Sequence, residues 1–484
     1  MAEIILVNPK LGFWGRYRTK EKLPAAILSV GTSLHNKGFN VKIIDQRVEK
    51  NWKEVLLENL GDETLFVGVS SLTGTQILHG LEISKFVRQK SGTKIVWGGI
   101  HPTLTPEQTI KNKYVDIIVR GEGEVTSIKL ASALKKKKSL KGVSGISYKD
   151  GGEIFHNPDR DFMDLEKLDE FNYDLVSIEN YLIDHLGHKM INYITSRGCP
   201  YGCKFCYSNK FHKRKWRAKS IKKTIKEMKN LIKKYGVNGF LLDDDEFFVN
   251  LERARKLMKE FKKLNIRWAS RGARIDNLLK MDDEFLKLMQ ESGCNDLAIG
   301  GESGSDRILK MIGKGITADE IIKANIKMSH YEITPKFNFM IGFPTETIED
   351  VKKTVSIVHR LKKDNPRATV SSLSIFTPYP GCDLYDEVVE MGWEPPKSLR
   401  EWAKFHYEVN NNPWMSEKMK RMISMLNFTS NFLNDEFETV PTFKINLISN
   451  LYRPFARFRF SRLIYQFPFE IKLANILGFY DSKD

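Results

Sequence analysis

Cys199, Cys203 and Cys206 stand in the run Cys199-Pro200-Tyr201-Gly202-Cys203-Lys204-Phe205-Cys206, three soft donors within one short loop. Their thiolates can hold three irons of a cubane cluster and leave the fourth iron open, and an open iron is what binding a substrate or cofactor requires. The chain has 5 cysteines in all. An odd number with three crowded together argues against a disulfide framework and for a metal site in a reducing compartment. The alternatives are a closed zinc site with His212 as fourth ligand, although C-x3-C-x2-C is an unusual finger spacing, and a ferredoxin-type cluster, which would want a fourth cysteine. Cys294 and Cys382 lie in other segments, and Cys294, just after Ser292-Gly293, reads as a small core residue.

Four further groups follow in order, each at the end of a β-rich run. Leu241-Leu242-Asp243-Asp244-Asp245 offers carboxylates to a ligand hydroxyl or ammonium, with Asp243 and Asp245 equally readable as solvated turn residues. Arg271-Gly272-Ala273-Arg274 offers a guanidinium to a carboxylate. In Gly300-Gly301-Glu302-Ser303-Gly304 glycines let the backbone approach a ligand closely and Glu302 supplies an acceptor. Met340-Ile341-Gly342-Phe343-Pro344-Thr345-Glu346-Thr347 closes the series.

These groups need strands to carry them. From Ile191 onward, strands are expected at Asn192 to Thr195, Gly239 to Leu242, Arg267 to Ser270, Asp296 to Ile299, Lys336 to Ile341 and Val370 to Phe376. Amphipathic helices lie between, which suits a full or partial barrel of parallel strands with its active site at the strand ends. Before it, Ile4 to Val7, Val41 to Asp45, Leu65 to Ser70, Lys94 to Trp97 and Asp116 to Val119 read as buried parallel strands alternating with helices. That is a doubly wound sheet, whose ligands bind beyond the carboxyl ends of the strands, at Asn8-Pro9, Ser70 to Thr75, Gly98 to His101 and Gly121 to Glu124. The division expected is therefore 1–141 for the first domain, 142–189 for a linker containing a hairpin, 190–391 for the barrel and 392–484 for a C-terminal segment.

A chain of 484 residues exceeds one ordinary core. Its apolar stretches are much shorter than a membrane span and its N-terminus lacks a signal-peptide pattern, so a cytoplasmic location is expected. The formal charge of +17 raises nucleic acid or an acidic membrane as a partner, but much of the excess is lysine scattered on solvated helix faces, which argues against nucleic acid.

The C-x3-C-x2-C run with an aromatic before its last cysteine resembles the signature of the radical S-adenosylmethionine superfamily, and the four downstream groups repeat the resemblance in the family order, over roughly Ile191 to Tyr385. The resemblance implies a 4Fe–4S cluster on Cys199, Cys203 and Cys206, and S-adenosylmethionine held at the open iron and cleaved by one electron to a 5′-deoxyadenosyl radical. It implies cofactor contacts at Tyr201, Phe205, Asp244, Arg274, Gly301, Glu302, Ser303, Gly342 and Pro344. It also implies an electron donor such as flavodoxin or ferredoxin.

A doubly wound domain ahead of such a barrel resembles the cobalamin-dependent subfamily, which includes methyltransferases of unactivated carbon and the anaerobic oxidative cyclase of chlorophyll synthesis. Ser70-Ser71-Leu72 and Gly98-Gly99 match the S-x-L and G-G elements of its cobalamin fold. The cobalamin contacts implied are Pro9, Asp45, Ser70, Ser71, Leu72, Thr73, Gly98, Gly99, His101, Gly121, Glu122 and Gly123. One departure stands out: no D-x-H-x-x-G element occurs, the corresponding Leu23 to Leu28 being Leu-Pro-Ala-Ala-Ile-Leu, so the cobalt ligand is unassigned and His101 reads better as a hydrogen-bonded loop residue. The fold class implied is α/β, a Rossmann-like cobalamin-type domain followed by a partial (β/α) barrel and a mostly helical C-terminal segment.

The function expected is cobalamin-dependent methylation of a small-molecule or lipid-like substrate, with radical oxidative cyclisation or rearrangement as the alternative and a non-catalytic basic Fe–S module as the reading from another class. A flavin in the first domain and a methylthiolating enzyme of transfer RNA were the remaining options; the latter family carries three more cysteines in its N-terminal domain, and residues 1–198 here have none. In the C-terminal segment, Leu451, Tyr452, Phe455, Phe458, Phe460, Leu463, Ile464, Tyr465, Phe467 and Phe469 alternate with Arg453, Arg457, Arg459 and Arg462, a pattern that fits either peripheral contact with the inner face of a membrane or a lid on the barrel.

Overall fold

A computed structural model of the chain describes all residues except 12–19, 186, 406–411, 435–442, 467–469 and 472–484, and within the last long helix it describes the side chains only from 449 onward. Phe467 and Phe469 thus lie outside the described residues.

The first sheet is built from β1 (Ile4–Asn8), β2 (Val41–Asp45), β3 (Phe66–Ser70), β4 (Lys94–Gly98), β5 (Ile117–Val119), β6 (Ile146–Asp150) and β7 (Glu153–His156), in the order β2-β1-β3-β4-β5-β6-β7. The first five strands are parallel. Every residue of β1 is buried, as the continuous apolar run Ile-Ile-Leu-Val requires for a strand covered on both faces. The strand order reverses between β1 and β3, which opens a crevice beyond their carboxyl ends. The hairpin assigned to the linker is instead the outer edge of this sheet, β6 and β7 pairing antiparallel to β5 and to each other. The rest of the supposed linker is packed rather than loose: Tyr173, Ile178, Tyr181 and Leu182 are buried in a core that is continuous through both sheets.

The second sheet comprises β8 (Ile183–His185), β9 (His188–Tyr193), β12 (Gly239–Leu242), β13 (Arg267–Arg274), β14 (Cys294–Glu302), β15 (Thr334–Ile341), β16 (Thr369–Val370) and β17 (Ser374–Ile375), while β10 (Ser196–Arg197) and β11 (Arg217–Ala218) form a separate ribbon. Strands β9, β12, β13, β14, β15 and β16 are parallel neighbours and the path stays open, so the barrel is partial. The first strand ends at Tyr193, two residues short of the expected Thr195, and the last run splits into β16 and β17.

The covering helices show why the sequence folds this way. Ile221–Tyr235 starts where the Ser220 hydroxyl accepts from the Lys223 amide and stops at Gly236, whose φ of 64° suits the left-handed cap. It buries Ile225, Met228 and Leu231 and leaves Lys222, Lys226, Lys229 and Lys233 in solvent, where the excess positive charge resides. Among the described residues no helix is long and apolar enough to cross a membrane.

The C-terminal segment closes over both sheets. Trp402 donates to Gln108 and meets the His101 ring edge-on, and Trp414 donates to the Gly342 carbonyl at 3.1 Å. In the helix Phe443–Arg462, Arg457 donates to the carbonyls of Phe432 and Leu433 and Arg459 is buried against Glu470. Two of the four arginines expected to face headgroups therefore point inward, while Leu451, Phe455 and Phe458, spaced on one helix face, stay exposed.

Candidate active site

The cysteine loop leaves the ribbon strand β10 and is fixed from below by acids at the end of β12. One oxygen of Asp244 accepts from the amides and hydroxyls of Thr195 and Ser196, with the Thr195 contacts at 3.0 Å. Asp245 accepts from the Gly198 amide at 2.7 Å. Asp244, expected as a cofactor contact, anchors the loop through one oxygen and keeps the other buried without a hydrogen-bond partner; its neighbours Asp243 and Asp245 line the cavity described below. Burial raises the Asp244 carboxyl to about 6. Asp244→Ala is expected to destabilise the protein by about 2–5 kcal/mol, because it orphans two buried amides and two hydroxyls; thermal melts check this.

Cys203 is buried and Cys199 and Cys206 are half-buried. Burial pushes the Cys199 thiol up to about 11 and that of Cys206 to about 12, so a metal must displace protons to bind them. Among the described residues no three His, Cys, Asp or Glu converge on one ion. His212 faces Asp245 at 3.5 Å instead of the cysteines. Cys294 and Cys382 are both buried in the core.

Arg274 reaches this loop because β13 bulges. Ser270 pairs with Leu297 but Ala273 with Ile299, so one extra residue is accommodated at Arg271-Gly272. A side chain at Gly272 would meet the Asp244 and Asp245 carbonyls at 2.7 and 2.6 Å. Arg274 then lies over the Tyr201 ring at 3.8 Å and donates to the Cys203 sulfur at 3.2 Å and to the Lys314 carbonyl at 2.7 Å. Tyr201 donates to Asn277 at 2.9 Å, and Asn277 to Glu246 at 3.2 Å. Burial holds the Glu246 carboxyl at about 7.

At the end of β14 a second irregularity in register brings Glu302 to a φ of 63°, a conformation that side chains rarely adopt and that persists only where the surroundings impose it. Its carboxylate meets buried Lys314 at 2.7 Å. A side chain at Gly300 would collide with both groups, at 2.2 and 2.6 Å, so the glycine makes room for the ion pair beside the strand end. Ser303 is turned into the helix contact, its hydroxyl against Thr354 at 3.3 Å, and Gly301 lies against Phe339. Glu346 accepts from the Gly342 and Phe343 amides and its enclosed carboxyl is raised to about 8 by burial. It shapes the turn that carries buried Pro344 and sets Phe343 edge-on to Phe205. Glu246, Asn277 and Lys314 were missed in the sequence reading; Gly313-Lys314-Gly315 was a signal, since both glycines have positive φ.

A cavity of about 360 Å³ lies between the first sheet and the cysteine loop, of the size small-molecule sites have. One wall is Ser70, Leu72, Gly98, Gly99, Gly121 and Gly123 at the strand ends, with Ala25, Ala26 and Val30 of the helix Ala25–His35; the other includes Tyr207, His212 and Asp245. At Gly99, φ is 101° and a Cβ would meet the Ser71 carbonyl at 2.7 Å. Small residues thus keep open the cradle that a cobalamin tail needs.

Other expected contacts fall outside the cavity or are held by protein partners. Asp45 is buried among Arg47, Asn8 and Tyr181, so its carboxylate is consumed. Both nitrogens of fully buried His101 are engaged, by Thr73 at 2.9 Å and Thr105 at 3.1 Å, and burial lowers its imidazole to about 3. Ser71 is buried with its hydroxyl on the Leu72 carbonyl, and buried Pro9 gives its carbonyl to Gln76. Glu122 lines the cavity but is held by Arg197 and Arg217.

Comparison with known proteins agrees with this geometry. The model of the radical SAM superfamily matches residues 193–358, and that of the B12 binding domain residues 20–131. An uncharacterized methyltransferase of Pyrococcus horikoshii is 32% identical over 408 residues, 83% of this chain and 86% of that protein. An anaerobic magnesium-protoporphyrin IX monomethyl ester cyclase of Cereibacter sphaeroides is 27% identical over 60% of this chain but 48% of its own length. The radical S-adenosylmethionine methyltransferase TsrM of Kitasatospora setae, solved with cobalamin and a 4Fe–4S cluster, shares the fold at a TM-score of 0.68 and 17% identity, over 94% of this chain and 99% of that one. With three cysteines on a partial barrel and a glycine-walled cavity in the domain before it, the chain belongs to the cobalamin-dependent branch of the radical S-adenosylmethionine enzymes, whose cofactors are a 4Fe–4S cluster, S-adenosylmethionine and cobalamin.

Proposed function

We propose that the enzyme moves a methyl group from S-adenosylmethionine to an unactivated carbon of a small or hydrophobic substrate. The observation that carries this reading is the cavity itself: its walls come from the strand ends of the first sheet on one side and from Tyr207, next to Cys206, on the other. A corrin seated there lies against the cysteine loop. Bound cobalamin supplies a cobalt that can accept and release a methyl group.

The residues of the chain position and insulate. Cys199, Cys203 and Cys206 hold the cluster, and Arg274 screens the negative charge of the Cys203 sulfur. Glu302, Lys314 and the Gly300–Gly301 turn would present polar groups to S-adenosylmethionine, and Glu346 shapes the turn at Gly342 and Phe343. Phe205, Phe343 and Phe376 stack next to the loop and exclude water from a radical.

Each methylation consumes two molecules of S-adenosylmethionine. One gives up its methyl group and leaves as S-adenosylhomocysteine; the other is split by an electron to methionine and, after hydrogen abstraction, 5′-deoxyadenosine. Two electrons enter from a donor of the flavodoxin or ferredoxin type. Oxidative cyclisation is the second reading, favoured by the match to the ester cyclase, and yields 5′-deoxyadenosine without S-adenosylhomocysteine. Anaerobic protein incubated with S-adenosylmethionine, reductant and a cell extract should accumulate both products. Formation of 5′-deoxyadenosine alone would refute methyl transfer.

His101 would not serve a bound cobalamin as a ligand, because it is sealed behind Thr73 and Thr105, whereas Leu72 faces the cavity. The Co(II) form should show an electron paramagnetic resonance spectrum without nitrogen splitting, and His101→Gln should bind as much cobalamin as the parent. Peripheral contact with an anionic membrane belongs to this reading through exposed Leu451, Phe455 and Phe458. Flotation with acidic vesicles tests it, and equal recovery of a Leu451→Ser/Phe455→Ser/Phe458→Ser variant would remove it.

A further inference from the structure

Two guanidiniums and two carboxylates meet where the first domain touches the cysteine loop. The ribbon pairs Ser196 with Ala218 and Arg197 with Arg217, so two arginines stand directly opposite each other. Like charges so placed destabilise a ladder. Here Glu122 lies between them, accepting from Arg197 at 3.1 Å and from Arg217 at 2.9 and 3.0 Å. The other nitrogen of Arg197 donates to Glu124 at 2.8 Å, and the Ser29 hydroxyl donates to the same oxygen at 2.6 Å. Glu122 and Glu124 flank the start of the helix Gly123–Lys135, where free amides and the helix dipole favour carboxylates. Side-chain exposure is 18% for Arg197, 9% for Glu122 and 5% for Glu124, so water screens these charges little.

Arg197 stands two residues before Cys199, and the backbone around it is held on its other side by Asp244 at Ser196 and Asp245 at Gly198. Glu122 is at the same time a wall of the cavity. One buried clasp therefore joins the first cluster ligand to the corrin seat. We infer that Arg197 is a positioning residue: through Glu122 and Glu124 it fixes the separation between the cluster and the corrin. A shift of about 1 Å between reacting groups costs on the order of a hundredfold in rate. This inference rests on the corrin seat proposed above.

The test uses the full chain carrying both cluster and cobalamin, with iron and cobalamin contents measured first. If the parent protein takes up no cobalamin, the seat is refuted and not merely the clasp. With the cluster reduced and the cobalt as Co(II), the cluster speeds the spin relaxation of cobalt by an amount that falls steeply with their separation. At parental iron and cobalamin contents, Arg197→Met, which removes the links to both Glu122 and Glu124, should lower that enhancement about twofold, Glu124→Gln should lower it less, and the double variant should go no further than Arg197→Met. Arg197→Lys, which keeps the charge but not the fork, should recover part of it. Should Arg197→Met fold poorly, Arg197→Lys and Glu124→Gln carry the test. An enhancement equal to the parent's in variants that have lost the clasp overturns the inference.

Discussion

Protein in which Cys199, Cys203 and Cys206 are all replaced by alanine is expected to contain iron and sulfide at background and to form no 5′-deoxyadenosine under reducing conditions. The expectation follows from the loop: three thiols in one short run, with Cys203 beside Arg274. Cys294 and Cys382 lie outside the loop, both buried in the core. Metal analysis and quantification of the nucleoside settle the matter. Cluster absorbance persisting in the triple variant would show that the ligands lie elsewhere. Cobalamin uptake by the same variant should change far less, as the cavity wall on the first domain contains none of the three.

Ala26→Trp should abolish cobalamin binding while leaving the fold intact. Ala26 lies on the helix Ala25–His35, is exposed, and faces the cavity, so an indole there fills space meant for the cofactor and displaces no core atom. A loss of at least about a hundredfold in affinity, roughly 2.8 kcal/mol, is expected. The melting temperature of the cofactor-free protein should move by no more than about 2 °C, the range of a surface change well under 1 kcal/mol. Titration followed by tryptophan quenching and a thermal scan provide the two measurements. Unimpaired binding would place the corrin outside this cavity.

The cysteine loop and the strand-end groups were legible because their chemistry is written in contiguous residues. So was the first sheet, where buried parallel strands appear as unbroken Ile and Val runs. What sequence reasoning lost was direction. In the run Asp243-Asp244-Asp245, just past the end of β12, the middle acid anchors the cysteine loop while its neighbours line the cavity, and nothing in three adjacent aspartates announced which would do which. Bulges have the same effect: no pattern around Arg271-Gly272 announced that one extra residue would swing Arg274 onto the cysteine loop. Contacts between distant segments were out of reach, as with His101, whose partners include a C-terminal tryptophan, and with Glu122 and Arg197, which lie 75 positions apart. The hairpin β6–β7 was recognised, but a hairpin does not say which sheet edge it extends.

The core that runs without a break through both sheets has a kinetic consequence. Proteins that trap a ligand by rocking two bodies about a hinge need an interface that parts cheaply. Here parting would expose apolar side chains belonging to both bodies at once, at a cost approaching that of global unfolding, about 5–15 kcal/mol. Exchange of the large cofactor by rocking the two bodies apart is therefore expected to be slow relative to turnover. Pulse–chase with labelled corrinoid should show exchange over hours under conditions where turnover takes minutes.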